Sequence, residues 1–278
     1  PNNISGWQWN IDVNSIRNID IPLIIFAVGY NRFRKQEDFE PVFFDNLKAI
    51  CEKSVFIGLR NHGSLNAIRS VVDKKYHDRL FFQPCPTTVL NHIYPDQVAS
   101  RPVRQRISIN LAFDRKDLRF SSGIEKTIKE ILEFKKQMEG NDCDVIFVGH
   151  CGTDKEILNY GNDINYIDLT TRSAEYVKEF FRKSSITIGM RGHAQMIPYG
   201  LGMPILSLIS HEKLKYFLDD IDHPEWGIEI SDPNLAHVLT EKSNYIFDHW
   251  DKVTGEIRES QKYLLDVSVK NIEHIQSK

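Results

Sequence analysis

The sequence has no Cys-x-x-Cys pair; its four cysteines, Cys51, Cys85, Cys143 and Cys151, are scattered. In a chain of 278 residues that spacing argues against a disulfide framework and against a zinc site. Reduced thiols in a cytoplasmic protein are the favoured reading. No apolar run approaches the ~20 residues that span a bilayer; the longest, Ile21 to Val28, fits a buried strand. The chain opens Pro1-Asn2-Asn3, with neither an initiator Met nor the basic-then-apolar pattern of a signal peptide. An excess of one charge is also missing. The net charge of −3 gives no general attraction to nucleic acid or anionic membrane, although local basic pockets are compatible with it. Walker A, Gly-x-Gly-x-x-Gly and Gly-x-Ser-x-Gly patterns do not occur, so P-loop, Rossmann dinucleotide and nucleophile-elbow chemistry have no motif support.

What is present is alternation. Hydrophobic residues make up 41% and charged residues 26%, ordinary for a soluble globular chain. Short apolar runs suited to buried parallel strands occur at Ile21–Gly29, Val55–Leu59 and Leu80–Phe82. Helical spacing separates them, with Phe43, Leu47 and Ile50 on one face, and with Ser64–Val72. A second series has strands at Ile107–Ala112, Val145–Val148, Tyr166–Leu169, Ile186–Gly189 and Ile205–Ile209. Its helices fall at Gly123–Met138, Asp154–Leu158, Ser173–Arg182 and His211–Leu218, with Ser173 as an N-cap. From Asn234 onward the chain reads as helical. This rhythm predicts an α/β protein with two doubly wound, Rossmann-like domains. Pro102 and its flanking arginines place the boundary, giving domains 1–102 and 103–278.

Ligands of such sheets bind beyond the carboxyl ends of the strands. Three ends stand out: Gly29–Arg34, Gly58–Ser64 and Gly189–His193. The strongest is Gly189-Met190-Arg191-Gly192-His193. Gly192 permits a tight turn and close approach of a ligand. A helix starting there turns its N–H groups and dipole towards an anion. Arg191 adds a planar donor fork, and His193 a group that handles protons near neutral pH. The bland alternative is an arginine plugging a strand end beside a capping histidine. Leu59-Arg60-Asn61-His62-Gly63-Ser64 repeats the grammar, with Ser64 as a candidate N-cap. Arg60 is a second candidate cation for the same anion if the domains face a cleft; an exposed loop arginine is the alternative. Lys213 follows the strand Ile205–Ile209 and is a further candidate, against a solvated helix lysine. At Gly149–Asp154, Thr153 or Asp154 reads as a helix cap, and contact of His150 or Asp154 with an acceptor is the minority reading. The acidic residues Asp219, Asp220 and Asp222 read as a solvated helix end rather than a metal site.

The segment SSITIGMRGHAQMIPYGLGMPILSLISHEKLKYFLDDI resembles the polysaccharide pyruvyl transferase family. That family reads strand, Arg-x-His, helix, Gly-x-Pro, strand, then a helix with an early lysine. Arg191, His193, Gly202, Pro204 and Lys213 fall on it. FIGLRNHGSLNAI is similar to the family's earlier strand–arginine–serine segment, placing Arg60 and Ser64, and PLIIFAVGYN is similar to the preceding strand. The resemblance runs patchily to about Asp222.

It implies a GT-B-like fold with two domains facing a cleft. It also implies more chain ahead of this start than Ser5-Gly6-Trp7, so that the amino-terminal, acceptor-side domain is expected to be incomplete. The implied reaction moves a pyruvyl group from phosphoenolpyruvate to a sugar of an exopolysaccharide or lipid-linked glycan precursor. A ketal forms on two hydroxyls and phosphate leaves. His193 is then the acid that protonates C3 of the donor. Arg191 and Arg60 orient the anion and stabilise the departing phosphate, with Ser64, Gly192 and Lys213 as further substrate contacts. The chemistry requires no metal and no organic cofactor. Expected partners are the donor and a glycan acceptor, without nucleic acid, at a cytoplasmic location compatible with peripheral membrane association. Two other readings stay open. One is a nucleotide-sugar glycosyltransferase on the same fold, for which His211-Glu212-Lys213 offers only one glutamate to a ribose. The other is a non-catalytic glycan- or anion-binding module.

Overall fold

A computed structural model describes residues 12–30, 32–33, 38–95, 100–120 and 123–278. The chain forms two compact units, Pro1–Pro86 with Tyr263–Lys278, and Thr87–Lys262. The segment expected to separate two domains, 98–105, lies partly outside the described residues. The units divide at Pro86/Thr87 rather than at 102, and the carboxyl-terminal tail belongs to the first unit.

The first unit carries α1 (Val13–Arg17), β1 (Leu23–Val28), α2 (Pro41–Lys53), β2 (Ser54–Leu59), α3 (His62–Arg69) and β3 (Leu80–Phe82). Its three strands are parallel, in the order β1-β2-β3. Helix α2 starts with Pro41 in its first turn, where a missing N–H costs nothing. Phe43, Leu47 and Ile50 are buried, as their helical spacing predicts. At about 1.5–3 kcal/mol per large apolar side chain buried, that face holds α2 in place. The tail is tied in by polar contacts. Asn271 Nδ2 donates to the Phe82 carbonyl (2.8 Å) and to Gln83 Oε1 (2.9 Å), while Gln83 Nε2 donates to Ser268 Oγ (3.2 Å).

The second unit carries α4 (Leu90–Ile93), β4 (Arg106–Asn110), α5 (Lys116–Arg119), α6 (Ile124–Glu139), β5 (Asp144–Gly149) and β6 (Tyr166–Asp168). There follow α7 (Ala174–Arg182), β7 (Ile186–Gly189), α8 (Gly192–Gly200), β8 (Ile205–Ile209), α9 (Glu212–Asp220), β9 (Gly227–Glu229) and α10 (Leu235–Asp248). Helix α11 (Trp250–Gln276) starts here and ends in the first unit. The six strands are all parallel, in the order β6-β5-β4-β7-β8-β9. Ile107, Ile109, Ile186, Ile188, Ile205, Leu206, Leu208 and Ile209 are all buried, because helices cover both faces of such a sheet. Ser173 caps α7, its Oγ accepting from the Tyr176 N–H at 3.2 Å. Three details differ from expectation. Residues Gly152–Tyr160 form a nine-residue 3-10 helix rather than a short α-helix over 154–158. The sixth strand, β9, is three residues long, too short to show a period. Asn61, not Ser64, is the N-cap of α3.

The strand order decides where a ligand belongs. From β4 the chain runs outward through β5 and β6, then returns to place β7 against the other side of β4. The connections therefore leave β4 and β7 in opposite directions, and a crevice opens beyond their carboxyl ends. Asn110 and Gly189 are the last paired residues there.

Candidate active site

At the end of β7 the backbone reaches Met190, whose N–H still donates to the Asn110 carbonyl at 3.1 Å. Arg191 follows as the extended N-cap residue of α8, without a side-chain cap bond. Gly192 and His193 open the helix, and His193 is exposed. A Cβ on Gly192 would meet no atom within 4 Å, so its small size answers no contact inside the protein. The far end of α8 explains Gly202. The Gly202 N–H reaches the Tyr199 carbonyl (2.8 Å) and the Met203 N–H the Pro198 carbonyl (2.9 Å), with Gly202 at φ 78°. This paired closure needs a left-handed residue, which glycine adopts without a Cβ clash. Pro204 and β8 come directly after it.

Arg191 is engaged on both sides. Its Nε donates to Asp154 Oδ2 (3.0 Å) and Oδ1 (3.2 Å), and its Nη2 to Asp154 Oδ1 (2.5 Å). Nη2 also lies 2.5 Å from Asp114 Oδ1. Asp154 is 1% exposed. It accepts in addition from Asn110 Nδ2 (3.0 Å) and from the His150 and Cys151 N–H groups (2.9 and 3.1 Å). Asp114, 32% exposed, continues the chain of charges. Its Oδ2 accepts from Arg119 Nη2 (3.2 Å), while Arg119 Nη1 reaches Ser210 Oγ at 3.4 Å beyond β8. Two arginines and two aspartates thus alternate across the carboxyl ends of four strands. Burial pushes the Asp114 carboxyl up, but the Arg119 and Arg191 charges outweigh it and hold the group below the usual carboxylate range. Desolvation works against the charge on Arg191, and the bonds to Asp154 overcome it. His150 stacks on Phe181, with ring centroids 5.8 Å apart. Burial, aided by the Arg191 and His193 charges, lowers its pKa to about 4 despite Asp154, so the imidazole is neutral at pH 7.

Arg60 is built differently. It leaves β2 with its N–H on the Val28 carbonyl (2.8 Å), which sets it beside the exit of β1. Its guanidinium lies over Gly29, where a Cβ would sit 2.5 Å from Nε and 2.9 Å from Nη2. Nε is buried without a hydrogen-bond partner, and no carboxylate among the described residues pairs with it. Desolvation lowers the Arg60 pKa, and Cys85 opposes the shift without reversing it. Behind it, Asn61 Oδ1 accepts from the Ser64 N–H (2.7 Å), and Ser64 Oγ accepts from the Tyr30 N–H (3.0 Å). Ser64 is fully buried, and in this arrangement it braces the exit of β1. Asn31 and Arg34, in the strand end picked out from the sequence, lie outside the described residues.

Arg191, Gly192 and His193 therefore stand together. Lys213, half-buried in the first turn of α9, lies at the same end of the sheet, and Arg60 and Ser64 belong to the other unit. Asp114 and Arg119 were not anticipated. The signal was available, because Asp114 lies just past the carboxyl end of β4, a strand end like the three that stood out. The sequence offers Thr153 or Asp154 as a helix cap. The Asp154 carboxylate does hold the N–H groups of the turn, and it also holds Arg191.

A model of the polysaccharide pyruvyl transferase family matches residues 2–212. The chain belongs to that family. It is accordingly a transferase of polysaccharide biosynthesis. No curated protein matches it. Among solved structures, the UDP-forming α,α-trehalose-phosphate synthase of Burkholderia vietnamiensis is similar at 9% identity and TM-score 0.57, over 96% of this chain and 73% of that one. Anabaena HepE in complex with UDP and glucose is similar at 10% and 0.55, over 92% and 72%. The UDP-GlcNAc 2-epimerase of Neisseria meningitidis bound to UDP-GlcNAc is similar at 12% and 0.51, over 93% and 72%. At such identities the likeness shows the fold alone, a GT-B-like α/β architecture. No helix among the described residues is long and apolar enough to cross a membrane.

Proposed function

We propose that this pyruvyl transferase takes its pyruvyl group from phosphoenolpyruvate and forms a ketal on two hydroxyls of a sugar, in an exopolysaccharide or other glycan precursor, releasing phosphate. The observation that carries the reading is Arg60, a desolvated guanidinium with no carboxylate partner among the described residues. A buried charge without a counter-ion is costly, and a dianionic or trianionic donor removes that cost. In the second unit Arg191 is proposed to hold anionic substrate through Nη1, the nitrogen that its contacts with Asp154 and Asp114 leave unused.

His193 delivers a proton to C3 of the donor, which becomes the methyl carbon, while C2 takes on oxocarbenium character. The first sugar hydroxyl adds to C2, and the neutral imidazole takes its proton. The C2–O bond to phosphate then breaks with its electron pair leaving on phosphate. The second hydroxyl closes the ketal, and its proton goes to the departing phosphate. Arg191 acts on developing charge rather than on protons. Gly192 lets a ligand approach the backbone, and Lys213 adds a cation at the same end of the sheet. Four cysteines, three of them buried and none in a disulfide, favour a reducing, cytoplasmic site of action.

The test is phosphate release from phosphoenolpyruvate in the presence of candidate glycans. His193→Ala is expected to abolish turnover while donor binding persists, and full activity in that variant removes the acid role. Thermal stabilisation by a nucleoside diphosphate, with none by phosphoenolpyruvate, replaces the reading by a glycosyltransferase. Donor binding without turnover on any glycan points to a binding module.

A further inference from the structure

The carboxylate of Asp154 gathers donors from three strand ends. Asn110 closes β4, His150 and Cys151 leave β5, and Arg191 leaves β7. It stands where the sheet order reverses, and it is almost inaccessible to water. Stability alone is a poor account of this arrangement, because a buried ion pair adds little over apolar side chains of the same volume. Orientation is a better one. Two bonds from Nε and one from Nη2 fix the guanidinium plane, as a paired carboxylate does for arginine and cannot do for lysine. Asp114 contrasts with it. It is partly exposed, shared with Arg119, and meets Arg191 only at Nη2, leaving Nε to Asp154.

We propose that Asp154 is a positioning residue. It clamps the Nε–Nη2 edge of Arg191 so that Nη1 is presented in one orientation to an anionic ligand. Asp114 supplies charge balance but does not set that orientation. The inference rests on the donor role given to Arg191 above.

Two measurements on the full chain test it. The first is a double-mutant cycle of Asp154→Asn and Arg191→Lys, read as phosphoenolpyruvate affinity by calorimetry. Asp154→Asn is expected to weaken binding about tenfold when Arg191 is present, and less than twofold in the Arg191→Lys background, because lysine has no plane to orient. Equal losses in both backgrounds overturn the positioning role. If Asp154→Asn does not fold, Asn110→Ser takes its place in the cycle; it removes one donor to Asp154 and leaves the ion pair. The second measurement uses the unaltered protein. The Arg191 Nε–H resonance is expected to be single and slow to exchange with water, and exchange as fast as that of exposed arginines overturns the clamp. If Arg191→Lys leaves donor affinity unchanged while the resonance is protected, the donor assignment of Arg191 fails and the clamp itself stands.

Discussion

Replacing Gly29 by alanine tests the anion site of the first unit without deleting a charge. The added Cβ would lie 2.5 Å from Arg60 Nε, 2.9 Å from Nη2 and 3.1 Å from Cζ. Favourable contacts between heavy atoms need about 3.5–4.0 Å, so the guanidinium must retreat by roughly 1 Å. Gly29 does not have a positive φ, so its backbone accepts alanine. The chain gains about 0.4–1 kcal/mol from a stiffer unfolded state, against roughly 1–3 kcal/mol for repacking around a buried side chain. The variant should therefore fold, with a small loss of stability. A displacement of that size at an orienting residue costs on the order of 100-fold. The expected outcome is a KM for phosphoenolpyruvate raised 10- to 100-fold, measured by phosphate release at saturating glycan, with a circular dichroism spectrum like that of the parent. An unchanged KM in a folded Gly29→Ala protein would refute the assignment of Arg60 to the donor, since its guanidinium cannot stay where it is.

Gly202→Ala places a Cβ at φ 78° in the closure of α8; left-handed backbone costs an L-residue roughly 1–2 kcal/mol, to be read as a lower urea midpoint with an unchanged slope. Gly192→Ala meets open space, so thermal stability should hold or rise slightly, and a loss of donor affinity alone would show that a ligand approaches this backbone closely. His150 should titrate by NMR near 4 rather than near the ordinary 6.5. Between those values the unfolded chain binds a proton that the folded chain refuses, so this contribution is complete above about 6.5 and is lost as pH falls towards 4. At about 1.4 kcal/mol per unit it amounts to roughly 3 kcal/mol, and a His150→Phe variant should show that much less acid sensitivity over the same range.

The residues legible without a structure were those whose role is local. Apolar runs such as Ile186–Gly189 and Ile205–Ile209 declared buried parallel strands, because both faces of each must be apolar. Arg191, Gly192 and His193 could be placed at a strand end because strand, turn and helix follow one another directly in the chain. Gly202 and Pro204 were legible only as part of the family's Gly-x-Pro pattern. Three facts came only with the tertiary structure. Asp154 meets Arg191 across 37 positions of sequence, a distance at which no periodicity reports contact. The tail from Asn234 was recognisably helical, but a helical face does not say what it packs against, and Asn271 and Ser268 proved to bind β3. The electrostatic surroundings of the two arginines were also out of reach. Both follow a strand and precede a helix, so local sequence treats them alike. Folding surrounds Arg191 with two carboxylates and leaves Arg60 desolvated over Gly29. That difference comes from which distant side chains the sheet order brings to each strand end.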